Sequence, residues 1–320
     1  MRSNSAYLRY ACKRFFSISR GYTKNIINRL LLKVYDPLTI RSFLCSIGDL
    51  MLEREKGIYN RQFIVICRLL DIERYRTTND ISFPLQNKLT SATSDKRNDL
   101  NKKFHDLIES VDRKGYYMSS TLTVNNKLFL LDGTHRAAMM LEKGIDVVQV
   151  RGLRRKCILP TECFFSLKTD LLSNDFCMIY EKYKKVNSSL IDKGICFGVW
   201  IEDNTYKDCA DIISLLKPFV CFHKVLFVEN ANDSFNGFNF NNGAYALFTP
   251  NMVDYVIKRD GYYSNYIKKL KEHISAHYLQ INKNPDFFYL TNNCLEGQTI
   301  YKIASKALLS STSNIDSIYG

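Results

Sequence analysis

The sequence predicts an α/β protein with a helical N-terminal extension and two α/β domains. Apolar residues recur at helical spacing in residues 1–58, whereas short apolar strands alternate with helices in residues 59–156 and again in residues 157–320. The chain has 320 residues, 46% of them hydrophobic and 13% aromatic, which is enough for two packed domains. This composition excludes a disordered chain.

The N-terminal extension is strongly basic. Residues 1–60 contain eleven Lys and Arg and four Asp and Glu. A helix over residues 6–20 would carry apolar side chains on one face and cations on the other, as a helix lying on a membrane surface does. Residues 6–34 are therefore a candidate contact with an anionic membrane, with a transit peptide or a helix docked on the protein as alternatives. Helical spacing continues to residue 56 through Ile40, Phe43, Leu44, Ile47, Leu50 and Met51.

The middle domain begins with an apolar run, residues 62–67, which is interpreted as its first strand. Residues 87–103 are rich in Ser, Thr, Asn, Asp and Lys, which predicts a mobile connection. A helix that ends at Gly115 follows. The rest is predicted as a hairpin and a returning strand, over residues 121–124, 127–131 and 145–150.

Residues 128–141 predict a strand that turns sharply into a helix. Polar groups are concentrated at the turn, in the run Asp132-Gly133-Thr134-His135-Arg136. Gly133 supplies backbone freedom, and the first turn of the helix offers unpaired N–H groups and the positive end of the helix dipole. The guanidinium of Arg136 can donate two parallel hydrogen bonds to a phosphate group. Asp132 and His135 are candidate metal or proton-handling groups. The pattern is typical of phosphate binding, although Asp or Thr before a helix is also an ordinary cap.

With this motif at its centre, the stretch of about residues 60–155 resembles the ParB/sulfiredoxin superfamily, whose fold carries an Asp-Gly-x-His-Arg signature. A sulfiredoxin has a nucleophilic cysteine where this chain has Thr134, and a hydroxyl of normal pKa cannot replace a thiolate in sulfinate repair. Partition proteins carry a Gly-Glu-Arg-Arg signature followed by a helix-turn-helix, and no clear helix-turn-helix pattern follows Arg151. The motif is most similar to the ParB-like branch of small-molecule kinases related to free-serine kinases.

That resemblance implies a nucleotide-dependent kinase that phosphorylates a hydroxyl of a small molecule or of a surface-glycan precursor, as in polysaccharide biosynthesis. It implies a ParB-like mixed fold for the middle domain and ATP or ADP as the nucleotide. Phosphate and substrate handling would fall to Gly133, Thr134, His135 and Arg136, with Mg²⁺ near Asp132.

Kinases of this branch take a general-base carboxylate from the segment just after the first strand. In this chain that rule makes Glu73 the first candidate and Asp71 the second. The alternative for Glu73 is a solvated position beside Arg74 and Arg76, because surface ion pairs of this kind are common and weak.

A second hypothesis comes from the net charge of +13, which favours anionic partners. A ParB-like nucleic-acid-binding regulator or partition-type protein would use the same fold and this charge. The excess of cations is concentrated in the N-terminal extension, however, and no evident reading helix accompanies the motif.

The ten cysteines are scattered without a Cys-x-x-Cys pair, which indicates reduced residues of a cytoplasmic protein. No transmembrane span is predicted, and residues 6–34 would place the protein peripherally at the inner face of the membrane.

In the C-terminal domain, strands are predicted at residues 195–201 and 224–228 with a helix between them at residues 206–216. A further helix is predicted to begin at Thr249-Pro250, since Pro favours the first helical position. The last elements are predicted as two helices and a loose tail, at residues 264–280, 298–309 and 310–320.

Overall fold

A computed structural model gives the fold. It describes residues 40–52, 60–89, 93–115, 121–125, 127–153, 173–202, 206–258, 261–281 and 285–316. These residues form a mixed α/β protein, which confirms the predicted class. The predicted membrane-surface helix and its transit-peptide alternative, in residues 6–34, lie outside the described residues.

The N-terminal sheet has four strands, β1 (Ile40–Ser46), β2 (Leu122–Val124), β3 (Leu130–Asp132) and β4 (Val147–Leu153). Their order is β1-β4-β2-β3. Strand β2 pairs antiparallel with β3 and parallel with β4, whereas β1 pairs antiparallel with β4. The predicted hairpin and returning strand are thus confirmed.

The prediction that helix extends through residues 40–46 is wrong, because β1 occupies them. Phe43 and Cys45 are buried while Ser42 and Leu44 are exposed, which is the two-residue period of a strand. The apolar residues also fit a helical period, and only the presence of β4 as a partner decides between the two.

The described residues of this half form five helices: α1 (Ile47–Met51), α2 (Asn60–Thr78), α3 (Pro84–Lys88), α4 (Ser94–Lys114) and α5 (Thr134–Glu142). The predicted end of α4 at Gly115 is confirmed, and this glycine has a φ of +71°. Helix α2 packs against α3 and α5.

Two predictions in this half are wrong. Residues 62–67 lie inside α2 and do not form a strand. A short apolar run is as typical of a helix buried on several sides as it is of a strand, so the run alone does not distinguish the two. Residues 87–103 lie largely in α3 and α4, and most of the polar side chains that suggested a mobile connection lie on the solvent side of α4. Asn101 and Phe104 face inward.

In the C-terminal half, the part of the chain that the structure describes forms the α-helices α6 (Ser173–Asp192), α7 (Tyr206–Leu216), α8 (Asn265–Gln280) and α9 (Cys294–Asp316). Its strands are β5 (Phe197–Glu202), β6 (Val220–Val228), β7 (Asp233–Phe235), β8 (Phe238–Phe240), β9 (Gly243–Pro250), β10 (Tyr255–Lys258), β11 (Gly261–Ser264) and β12 (Phe288–Leu290). Strands β12-β5-β9-β6 form an antiparallel sheet in that order.

The structure confirms the predicted elements at residues 195–201, 206–216, 224–228 and 264–280. The prediction that a helix begins at Thr249-Pro250 is wrong, since these two residues are the last of β9. Pro250 aligns with Val220 of β6 and lies beyond the last pair of β9 with β5, so one of its sides is unpaired as in an edge strand, where Pro is tolerated. The tail predicted to be loose continues α9 as far as Asp316.

One hydrophobic core spans both halves of the described chain. The carboxylate of Asp49, on α1, joins them by accepting hydrogen bonds from Tyr255, Tyr262 and the backbone of Cys294. Gln298 also donates to Asp146 across 3.0 Å. None of the described helices is both long and apolar enough to cross a membrane.

Candidate functional site

The sharp turn predicted between strand and helix is present between β3 and α5. Strand β3 ends at Asp132, Gly133 has a φ of +92°, and α5 begins at Thr134. A Cβ atom on Gly133 would lie 2.7 Å from Leu122 Cδ2 and 3.3 Å from Arg136 Nη2. Glycine is therefore required both by backbone conformation and by space. No side chain caps the helix at this position, so its first N–H groups are left for another acceptor.

Arg136 is fixed beside this turn. Its Nη1 donates to the carbonyl of Thr121 across 2.6 Å, and its Nη2 lies 3.8 Å from Oδ2 of Asp132. The Asp132 side chain is 72% exposed, whereas that of Arg136 is 28% exposed. A guanidinium has five N–H donors in a rigid fork, so one bond to Thr121 positions Arg136 and leaves donors for an anion.

His135 points away from solvent. Its Nε2 contacts Oε1 of Gln86, and its ring lies 4.4 Å from the ring centroid of Phe104. Burial, followed by the charges of Arg68 and Arg136, lowers the pKa of His135 to about 2. The ring is therefore neutral near pH 7 and donates from Nε2 to Gln86. This geometry gives His135 a positioning role at the start of α5.

Asp71 holds the partner of His135 in place. Its buried carboxylate accepts the backbone N–H of Leu85 across 3.1 Å and that of Gln86 across 2.7 Å. Burial raises the pKa of Asp71 to about 6, and these two N–H groups oppose the rise. Gln86 also donates to Asn101 across 3.2 Å. The second candidate for a general base is thus 1% exposed and engaged in fixing α3.

The structure does not bring Glu73 to this turn. The strand that was expected to precede it is helix α2, and its carboxylate pairs with Nζ of Lys182 on α6. Five residues at about 100° each place Glu73 about 140° around α2 from Arg68. No contact joins Glu73 to Asp132 or Arg136 within the described residues.

Two arginines that sequence reasoning missed do approach the site. Arg68 lies on α2, is largely buried, and in the described part of the chain its Nε has no hydrogen-bond partner. Its charge acts on both Asp132 and His135. Arg61 lies two turns earlier, about 20° around the helix from Arg68, and its charge also acts on Asp132. Arg61 and Arg68 directly flank the apolar run at residues 62–67, and interpreting that run as a strand obscured the helix face that they share.

The cations outnumber the acids at this site. Arg61, Arg68 and Arg136 contribute three positive charges. Asp132 and Asp71, whose charges both act on Arg68, contribute two negative charges near pH 7, and His135 is neutral, which leaves a net charge of +1. Burial and repulsion from Arg61 lower the pKa of Arg68, in that order of size, to about 9, so the side chain still keeps its proton near pH 7. Such an excess of positive charge favours an anionic ligand.

The site fits a metal only in combination with a ligand. No group of three or more His, Cys, Asp or Glu side chains suited to a metal ion occurs among the described residues. Mg²⁺ is commonly held by one or two carboxylates together with phosphate oxygens, and the exposed Asp132 could supply such a carboxylate.

Comparison of the chain with protein-family models, with curated proteins and with solved structures finds no significant match.

Proposed function

We propose that the chain is a nucleotide-dependent kinase, which transfers a phosphoryl group from ATP or ADP to a hydroxyl of a small molecule or of a surface-glycan precursor. The observation that carries this proposal is the uncapped first turn of α5 with the Arg136 guanidinium fixed beside it. The ParB-like resemblance of the motif supports the reaction class, and the net positive charge of the site supports an anionic ligand.

Phosphoryl transfer depends mainly on positioning and charge neutralisation. The N–H groups of Thr134 and His135 and the free donors of Arg136 are suited to phosphate oxygens. Asp132 is the exposed carboxylate that would hold Mg²⁺, which neutralises phosphate charge when bound. The neutral ring of His135 keeps the first turn of α5 against Gln86 and Phe104.

In the proposed reaction the acceptor oxygen forms a bond to the terminal phosphorus while the bond from that phosphorus to the bridging oxygen breaks. The nucleotide leaves with the electron pair, and the hydroxyl proton passes to solvent. Because the transition state is loose, a strong base is not required. The basic residues 6–34 would bring the enzyme to a lipid-linked acceptor at the cytoplasmic face of a membrane.

The test is calorimetric titration of the full chain with ATP, ADP and CTP in the presence of Mg²⁺. We expect Arg136→Ala to lower nucleotide affinity at least about tenfold, the scale of a charge-assisted hydrogen bond. Arg74→Ala is the matched control, because Arg74 is 51% exposed and pairs with Asp80. Unchanged affinity in Arg136→Ala, with a melting temperature lowered by many degrees, would assign Arg136 a purely structural role.

A second measurement separates the kinase from a nucleic-acid-binding protein. Electrophoretic shift with random-sequence DNA at moderate salt should show only weak, salt-sensitive binding. Tight DNA binding without nucleotide binding would favour the regulator or partition-type function instead.

A further inference from the structure

Arg68 carries a largely buried charge that is only partly compensated within the described protein. Its Nε is shielded from solvent and has no hydrogen-bond partner there. The charges of Asp71 and Asp132 act on the guanidinium, but burial and the charge of Arg61 outweigh them. Burying a cation without a partner is costly, and proteins usually pair such groups. Arginine does not relieve the cost by losing its proton near pH 7. The unused Nε donor and the incomplete charge compensation suit Arg68 to an anionic ligand.

Arg61 adds a second charge on the same face of α2. Its positive charge disfavours that of Arg68, so the two guanidinium groups lie close enough to repel each other. The side chain of Arg61 still reaches solvent, although desolvation lowers its pKa. The pair therefore runs from the solvent toward the interior, with Arg68 at the inner end.

The pair on α2 and Arg136 on α5 share one carboxylate. Arg136 lies 3.8 Å from Asp132, and the charges of Arg61 and Arg68 act on the same group. Helices α2 and α5 pack directly against each other. The charges of two sets of donors on packed helices therefore act on Asp132, one set at the first turn of α5 and one on the face of α2.

We propose that Arg61 and Arg68 form a second anion subsite beside Arg136, so that the site selects a ligand with two or more linked phosphate groups over a monophosphate. This inference rests on the proposed function and specifies its substrate class as a nucleoside di- or triphosphate. One phosphate group occupies the start of α5 and Arg136, and a neighbouring phosphate group of the same ligand occupies Arg61 and Arg68. A monophosphate engages only one of the two sets.

The direct test compares inorganic phosphate, pyrophosphate and ADP as ligands of the full chain by calorimetry. We expect pyrophosphate and ADP to bind at least about tenfold more tightly than phosphate, and Arg68→Met to remove most of that difference while changing phosphate affinity less than about threefold. Arg61→Gln should give a smaller loss because its side chain reaches solvent. Arg74→Met is the control on the same helix, where the exposed Arg74 pairs with Asp80, and should change nothing.

Thermal stability gives a readout that a structural arginine would not produce. Without ligand, Arg68→Met should raise the melting temperature, because an apolar chain of similar length replaces a largely buried guanidinium whose Nε has no hydrogen-bond partner among the described residues. The same variant should lose the rise in melting temperature that pyrophosphate causes in the unmodified protein. A fall in melting temperature of the ligand-free variant would show that Arg68 supports the fold, and would overturn the inference.

The outcomes separate this inference from the proposed function. If phosphate binding depends on Arg136 but pyrophosphate binds no more tightly, the second subsite is wrong and the function can still hold. If Arg136→Ala leaves all binding unchanged while Arg68→Met abolishes pyrophosphate binding, the α2 subsite holds and the role of the α5 turn is wrong. If none of the three ligands binds the unmodified protein, both fail.

Discussion

Two buried charges in this protein have opposite surroundings. Asp49, 1% exposed, is enclosed by hydrogen-bond donors on three elements of the C-terminal half. The hydroxyls of Tyr255 and Tyr262 donate to its carboxylate, and the N–H of Cys294 lies 3.1 and 3.2 Å from its two oxygens. Arg68, in the N-terminal half, has no such partner for its Nε among the described residues.

The difference separates a charge that supports the fold from one that is available to a ligand. Burial raises the pKa of Asp49, and the hydrogen bonds that it accepts oppose the rise. A buried carboxyl with these bonds joins elements distant in sequence, and removing it leaves buried donors without an acceptor. A buried donor without an acceptor, such as Nε of Arg68, lowers stability until a ligand supplies one. Substitution should therefore destabilise the protein at Asp49 and stabilise it at Arg68.

The largest expected effect is at Asp49. Asp49→Ala should lower the free energy of unfolding by about 3–5 kcal/mol, because Tyr255, Tyr262 and the Cys294 N–H would remain buried without their acceptor. Urea unfolding of the full chain measures this change.

Asp99→Ala provides the control, since Asp99 is 56% exposed and pairs only with Lys103 one turn away. It should change stability by less than about 1 kcal/mol. A loss at Asp49 no larger than that at Asp99 would remove the contrast on which the interpretation of Arg68 depends.

A smaller, pH-dependent effect is expected at Asp71. Its pKa is raised from 3.8 to about 6, so the folded state binds a proton that the unfolded state releases between those values. The stabilisation by the protonated Asp71 carboxyl is therefore fully present below pH 3.8 and is lost as pH rises through 6. At about 1.36 kcal/mol per pKa unit, the free energy of unfolding falls by about 3 kcal/mol over this range.

The measurement is the stability of the unmodified protein minus that of Asp71→Asn, determined from pH 4 to pH 7. This difference should increase as pH falls. The difference between the two proteins is needed because His135 changes stability with pH in the opposite direction. Its pKa is lowered to about 2 in the folded state, so it lowers the free energy of unfolding as pH falls below 6.5, and it does so in both proteins. A difference that stays flat with pH would mean that the Asp71 carboxyl is not buried in solution.

The site shows which kinds of information a sequence holds. The turn at Gly133 was predictable, because a positive φ, an apolar strand and helix-forming residues are local signals. The contacts of His135 with Gln86, and of Gln86 with Asp71, join residues far apart in the chain, and no local pattern encodes them. Arg68 was missed for a related reason. Helix α2 is apolar on the sides that its tertiary neighbours cover, and which side faces which neighbour is not encoded in the local sequence.

The same physics explains the errors in the fold. Residues 40–46 and 62–67 are short apolar runs that fit either period, and their neighbours β4 and α5 decide the outcome. The Thr249-Pro250 pair is an ordinary helix start, yet both residues pair with β6 and continue β9 beyond its last pair with β5. Local signals therefore defined the candidate turn better than they defined the elements that surround it.

The smallest expected effect concerns Glu73 and tests whether it is a base or a surface ion pair. Glu73 is 43% exposed, Lys182 is 23% exposed, and they pair across α2 and α6. Glu73→Gln should lower the free energy of unfolding by less than about 1 kcal/mol and leave turnover nearly unchanged, because the carboxylate lies on the far side of α2 from Arg68. Lys182→Met should have a similarly small effect, with a coupling of about 0.5 kcal/mol in a double-mutant cycle.

A general base would behave differently: Glu73→Gln would then keep nucleotide affinity but lose about a hundredfold in turnover, and Lys182→Met would not share that loss. Steady-state kinetics on the two variants therefore decides between the sequence-based assignment of Glu73 and the position that α2 gives it.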